Sequence, residues 1–317
     1  MNDGGGCPFL NLGWCPGGRA EEGGLAGAAL IANPRDADEP AVDLRVQAGV
    51  PAVETASRVG VPAGRTVAVP FYLPLPEGAT GRHRLPLLLR AFARGHAAAL
   101  DASCHVWLVR GVAWAEAPGR PPAEISPLSG PEVALGETSG DWIGLEEGAW
   151  AGPQDLSARF RLAWTPQNLI LSAVVRDDVH VQGQQPEDMW RSDSLQLAFD
   201  YRGGAWRAVA AGRPARWLEI GLALHGDGRA MGFRWFPKRG PLDGVSFSLS
   251  RHGEETQYLV SVPAHALGAG TLLRGDVIGF AALVNDDDGH GREGWLALDD
   301  GIGFSKDPRK YGLLALD

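Results

Sequence analysis

A glycine or proline falls at roughly one position in five of this 317-residue chain, which carries 44 glycines and 23 prolines. Breakers at that density cannot be threaded through long helices: proline removes a backbone donor, and a glycine in a helix interior costs about 0.8–1 kcal/mol against alanine. Between the breakers lie short apolar runs such as AALIA, VDLRV, VAVPFYL, LPLLLRAF and CHVWLV. Short apolar runs bounded by turn formers are the pattern of strands, so the chain reads as all-β.

Domain organisation follows from where this pattern changes. Residues 1 to 20 are glycine-rich without periodicity and are expected to form a flexible arm. From 21 to 114 the strand–turn alternation is continuous, with the turn VPAG at 61–64 leading into one strand and the alternating His83, Leu85, Leu87 and Leu89 marking another. This stretch resembles the small immunoglobulin-like sandwiches of large bacterial secreted and surface proteins, through its Asn33-Pro34 opening and its V-P-A-G-R-T turn. Residues 115 to 137 are rich in proline, glycine and acid, and are expected as a linker before a second domain at 138–317.

Charge narrows the partners. With 29 basic and 38 acidic residues the chain carries a net −9, which disfavours nucleic acid or an anionic membrane surface. The residues from Met1 to Gly6 lack positive charge and no apolar run follows, so no secretory signal is expected there, and no run approaches the length of a spanning helix. Cys7, Cys15 and Cys104 cannot all pair within the chain and show no zinc spacing.

Beyond residue 136 the aromatic content rises: eight of eleven tryptophans lie at 142, 150, 164, 190, 206, 217, 235 and 295. Ala158, Phe160, Leu162 and Trp164 alternate with Arg159 and Arg161, as Leu195, Leu197 and Phe199 do with Gln196, giving strands with one apolar and one polar face. The run LILSAVV is apolar throughout and suits a strand covered on both faces. Further runs at 217–224, 245–250, 257–262, 276–284 and 311–316 predict a two-sheet, jelly-roll-like sandwich.

In order along this stretch stand DLSARFRLAWT, LILSAVVRDDVHVQ, DMWRSDSLQLAFD, YLVSVPAHAL, DVIGFAALVNDDDGHGREGWL and GFSKDPRKYGLLAL. Together they resemble a family 9 carbohydrate-binding module over about residues 138 to 317. The resemblance implies a two-sheet β-sandwich attached to a polysaccharide-degrading enzyme, with a sugar stacked between two tryptophans. It would match Trp190 and Trp295 to the stacking pair, Arg292 and Asn285 to the first hydroxyl partners, and Gln196 and Asp193 to the next. Residue chemistry agrees, since a pyranose presents apolar C–H faces and a rim of hydroxyls, and Trp190 and Trp295 each follow a polar loop at the entry to a strand. Whether Gln196 faces ligand or solvent depends on which side of its sheet is concave.

The acids Asp178, Asp286 and Asp288, with Asp177, His180 and Asp287 beside them, suit calcium if their oxygens converge. The loop is no EF-hand, because aligning Gly289 with that motif's invariant glycine places Val284 first and Trp295 last. No cofactor is required, and calcium would be structural. No G-x-S-x-G elbow, phosphate-binding loop or dinucleotide fingerprint occurs.

The leading expectation is therefore a non-catalytic carbohydrate-binding chain that supports polysaccharide breakdown, with an oligo- or polysaccharide and a glycoside hydrolase as partners and an extracellular or cell-surface location. Two alternatives stand beside it: an accessory part of a glycoside hydrolase active site, and a structural spacer of a surface protein with Trp190 and Trp295 both buried.

Overall fold

A computed structural model describes residues 11–21, 24–49, 52–74, 81–93, 96–109, 132–145, 150–201, 204, 214, 216–299 and 301–316. Seven strands build the N-terminal sandwich: β1 (Asn11–Glu21), β2 (Gly24–Ala32), β3 (Glu39–Ala48), β4 (Val53–Val61), β5 (Thr66–Pro74), β6 (Gly81–Ala93) and β7 (His96–Val109). One sheet has the order β1-β2-β5 and the other β4-β3-β6-β7, all antiparallel, as in an immunoglobulin-like sandwich. Leu44 and Val46 of β3, Phe71 and Leu73 of β5, and Leu85, Leu87 and Leu89 of β6 meet in its core.

The two motifs noted in this stretch prove to be one device. Asn33 is buried; its amide donates to the carbonyls of Val61 and Ala37, both at 3.0 Å, and its backbone N–H donates to Arg65 O at 2.9 Å. The side chain thus pins the β2 exit to the turn that carries Gly64 at φ 62°. Asn33→Ala is expected to cost about 1–3 kcal/mol, because the Val61 carbonyl stays buried without its donor. Urea unfolding reads this as a lower midpoint at unchanged slope, and an unchanged midpoint would remove Asn33 from that role.

The C-terminal sandwich contains β8 (Val133–Leu135), β9 (Trp142–Gly144), β10 (Leu156–Trp164), β11 (Asn168–Asp177), β12 (Ser194–Tyr201), β13 (Leu218–Leu224), β14 (Ala230–Phe236), β15 (Ser246–His252), β16 (Glu255–Pro263), β17 (Val277–Asp286), β18 (Gly294–Ala297) and β19 (Gly312–Leu316). The sheet β15-β16-β11-β10-β8 packs on β14-β13-β12-β17-β19, whose β17 also pairs with β18 and β18 with β9. Phe160, Leu169 and Leu171 from the first sheet meet Leu195, Leu197, Phe199 and Phe280 from the second. Burying each of these side chains contributes about 1.5–3 kcal/mol, which fixes the register of β12 and sends Gln196 to the opposite face.

Three features differ from the sequence expectation of arm, linker and separate domains. Asn11–Glu21 of the expected arm is strand β1, since backbone pairing to β2 needs no side-chain periodicity. β8 lies within the stretch expected as linker, because Val133 and Leu135 bury into the C-terminal core beside Ala158 and Phe160. The sandwiches also share a sheet: β19 pairs parallel with β7, Leu313 with Val106 through Leu316 with Val109. Alternation then divides β19 between two cores, Leu314 and Leu316 into the C-terminal one and Leu313 and Ala315 into the N-terminal one. That explains the uninterrupted apolar run GLLAL. Among the described residues no helix is long and apolar enough to cross a membrane.

Candidate functional site

On the outer face of the sheet β14-β13-β12-β17-β18 small residues surround one amide, Gln196. Gln196 stands between Gly221 of β13 and Leu283 of β17, with Ala198, Ala223 and Ala281 around it. Gly221 is required by its neighbour: a Cβ there would lie 2.2 Å from the Trp235 ring and 2.9 Å from Met189 Sδ. The indole of Trp235 therefore lies directly against the sheet backbone, and its Nε1 donates to Glu187 O at 3.0 Å.

The turn that accepts this bond, the 3-10 turn Pro186–Arg191, also carries Trp190. Buried Met189 roots this turn against Ala223 and Met231. Its carbonyl accepts from Gln182 Nε2 at 3.1 Å and from Ser194 Oγ at 2.9 Å. Trp190 and Trp235, both partly exposed, line a cavity of about 450 Å3 together with Gln196, Arg292, Asp188 and Arg239. The volume is in the range of small-ligand sites.

The loop between β17 and β18 sets the position of Arg292. Asp287 organises it: one carboxylate oxygen accepts the N–H groups of Gly289 and Gly291, each at 2.9 Å, and the other accepts the Ser192 hydroxyl at 2.7 Å. Gly289 and Gly291 adopt φ of 100° and 97°, which the loop requires and glycine permits. The Arg292 guanidinium comes to rest 3.9 Å from the Trp295 ring centroid and 5.6 Å from that of Trp190. Burial holds it down at about 10, below its ordinary value.

The sequence-named residues thus divide. Trp190, Gln196 and Arg292 share the cavity. Trp295 does not line it: the ring is 2% exposed, beneath Arg292, in an edge-to-face pair with Phe304 at 4.7 Å between ring centroids and with Gly303 closing over it. The two rings expected as a sugar clamp are therefore bridged by a guanidinium, and the second open ring is Trp235. Asn285 is buried and donates to Ser194 Oγ at 2.8 Å, while Asp193 accepts the N–H groups of Val181 and Asp287. Asn285 thus links β12 to β17, and Asp193 ties the β17–β18 loop to the Val181 backbone. Sequence reasoning missed Trp235, Arg239 and Asp188. The run FRWFPKRG did carry a signal, an aromatic cluster flanked by arginines.

At the end of the same sheet the acids converge. Oxygens of Asp155, Asp178 and Asp288, and of Asp177, Asp286 and Asp288, lie within 4.8 Å of one another in two overlapping groups. Both oxygens of Asp286 are buried without a hydrogen-bond partner. Burial first, then the neighbouring carboxylates Asp193, Asp155 and Asp177, push Asp286 up to about 9. Asp288 is pushed up to about 6 by burial and by Asp155 and Glu293. On the flank, His180 Nδ1 is 3.4 Å from both Asp177 and Asp193, and its Nε2 lies 2.8 Å from Leu224 O. All three metal-ligating candidates the sequence offered thus take part, Asp178 and Asp288 with Asp155 in one group and Asp286 and Asp288 with Asp177 in the other.

No family model matches the chain, and no curated protein does. Among solved structures, the chain is similar to a family 9 carbohydrate-binding module from Caldicellulosiruptor kristjanssonii in complex with cellotriose, at 15% identity over 67% of this chain and 93% of that one, with a TM-score of 0.43. The module from the same organism in complex with glucose gives 16% identity, 67% and 95% coverage, and a TM-score of 0.43. A likeness of this size leaves the function to be argued from the chain's own residues.

Proposed function

We propose that this chain is a non-catalytic saccharide-binding protein whose site is the cavity lined by Trp190 and Trp235. The observation that carries this reading is the pairing of two partly exposed indoles on one cavity with an amide, Gln196, and a guanidinium, Arg292. The C–H faces of a pyranose stack on such rings at about 0.5–1.5 kcal/mol each, and its hydroxyls accept from the charged donor at about 1.5–3 kcal/mol. Attached to or beside a glycoside hydrolase outside the cell, the chain raises that enzyme's effective concentration on a polysaccharide, so its contribution needs no chemistry of its own.

Calorimetric titration with glucose, xylose, cellobiose and xylobiose tests the reading. Trp190→Ala and Trp235→Ala are each expected to weaken binding about tenfold, the equivalent of about 1.4 kcal/mol, while thermal midpoints confirm that both remain folded. Undiminished affinity in both folded variants would place the sugar elsewhere. Absence of any saccharide binding would favour a spacer, and release of product from a chromogenic glycoside would favour a part in a hydrolase site.

A second reading rests on Asp286, whose two oxygens are buried without a partner beside other carboxylates, as a cation site requires. We propose that Asp177, Asp286 and Asp288, with Asp178 and Asp155 beside them, hold a structural calcium ion. Calcium there supplies charge neutralisation and ties the β11 exit to the loop carrying Arg292.

A further inference from the structure

The cavity is cationic in a chain of net charge −9. Arg239, Arg292 and Lys306 line it, against one acid, Asp188. Two of these charges are already answered within the protein: Lys306 pairs with buried Glu219, and Asp188 lies 3.6 Å from Arg191. Arg292 and Arg239 have no carboxylate within ion-pair distance among the described residues, and the Arg239 guanidinium lies 5.8 Å from the Phe233 ring centroid. Two positive charges therefore face the cavity unneutralised.

Arg292 makes the stronger demand. Its Nε and Nη2 are buried and meet no acceptor. One face of the guanidinium is taken by Trp295, and with Nε and Nη2 closed off the donor left to a ligand is Nη1. Leaving such donors and such a charge unmatched is costly. A sugar hydroxyl accepts from that N–H and leaves the charge in place, whereas a carboxylate accepts in a charge-assisted bond and cancels the charge. Trp190, Trp235 and Gln196 still call for a pyranose ring beside that carboxylate.

Building on the saccharide reading of this cavity, we infer that its ligand is an acidic saccharide, a uronate residue whose carboxylate is taken by Arg292 with Arg239 as the second cation.

Titration of the full chain with glucuronate and galacturonate against glucose, galactose and glucuronamide, with acetate as competitor, decides this. The uronate is expected to bind at least tenfold tighter than its neutral counterparts at low salt, with the advantage shrinking in about 0.5 M NaCl as the charges are screened. That ratio is expected to fall at least threefold in Arg239→Gln and to vanish in Arg292→Gln, both checked for an intact thermal midpoint. Because Arg292 also covers Trp295, Arg239→Gln keeps the test valid if Arg292→Gln fails to fold. Equal affinity for glucuronate and glucose overturns the uronate assignment and leaves the saccharide reading standing. No binding of any sugar, charged or neutral, overturns both. Acetate competing at concentrations similar to the uronate overturns it as well, since the site would then read a carboxylate without its ring.

Discussion

Trp295→Ala is expected to destabilise the protein by about 3–5 kcal/mol, the range for removing a large buried aromatic side chain. The ring is 2% exposed and packs with Ala198, Ala281, Leu283, Ile302 and Tyr311, so its deletion opens a cavity that backbone-anchored strand neighbours cannot collapse to fill. It also removes the surface on which the Arg292 guanidinium lies, 3.9 Å from the ring centroid. Trp295→Phe keeps most of the packing, so its midpoint is expected to fall much less and saccharide affinity to stay within about threefold of wild type. Denaturant unfolding of both variants, with calorimetry on whichever is folded, separates the two roles open to this ring. A Trp295→Ala protein of wild-type stability that no longer binds sugar would return Trp295 to the stacking role that the resemblance to family 9 modules implied.

Calcium is expected to raise the thermal midpoint by about 5–10 °C. A ligand at a hundred times its dissociation constant that binds only the folded state adds about 2.7 kcal/mol, and each kcal/mol moves a sandwich of this size by about 2–4 °C. The physical source is the crowding of Asp155, Asp177, Asp178, Asp286 and Asp288, which a divalent cation converts from repulsion to coordination. Asp286→Asn should reverse sign with conditions. In chelator it removes one acid from a crowded, buried group and raises the midpoint, whereas in calcium it removes a ligand and lowers the midpoint relative to wild type. Scanning calorimetry of both proteins with and without calcium reads all four values. Equal midpoints for the wild type in calcium and in chelator would remove the ion.

How much of this was legible in the sequence depended on whether the signal was local. Alternation in Leu195, Leu197 and Phe199 fixed both the strand and the face it buries, because side-chain direction in a strand has period two and needs no knowledge of its partners. Gln196 was thereby assigned to the opposite face, and the structure supplied only the fact that this face lines a cavity. The acidic loops were legible as well, through the residue types that calcium requires, but not the convergence of Asp155 with Asp288, which lie on different loops.

The tryptophans show where sequence stops. Trp190, Trp235 and Trp295 all stand near strand ends, and nothing local distinguishes a platform from a core residue. Their fates were decided by distant segments: Gly221 leaves room for Trp235 to lie against the sheet, while Gly303 and Phe304 close over Trp295. The chain by itself determined an all-β fold, the inward and outward faces of its strands, and the chemistry gathered in its C-terminal loops. Tertiary structure alone decided which rings are open and which charges are unanswered, because exposure and charge balance are set by residues brought together across the fold and not by neighbours in sequence.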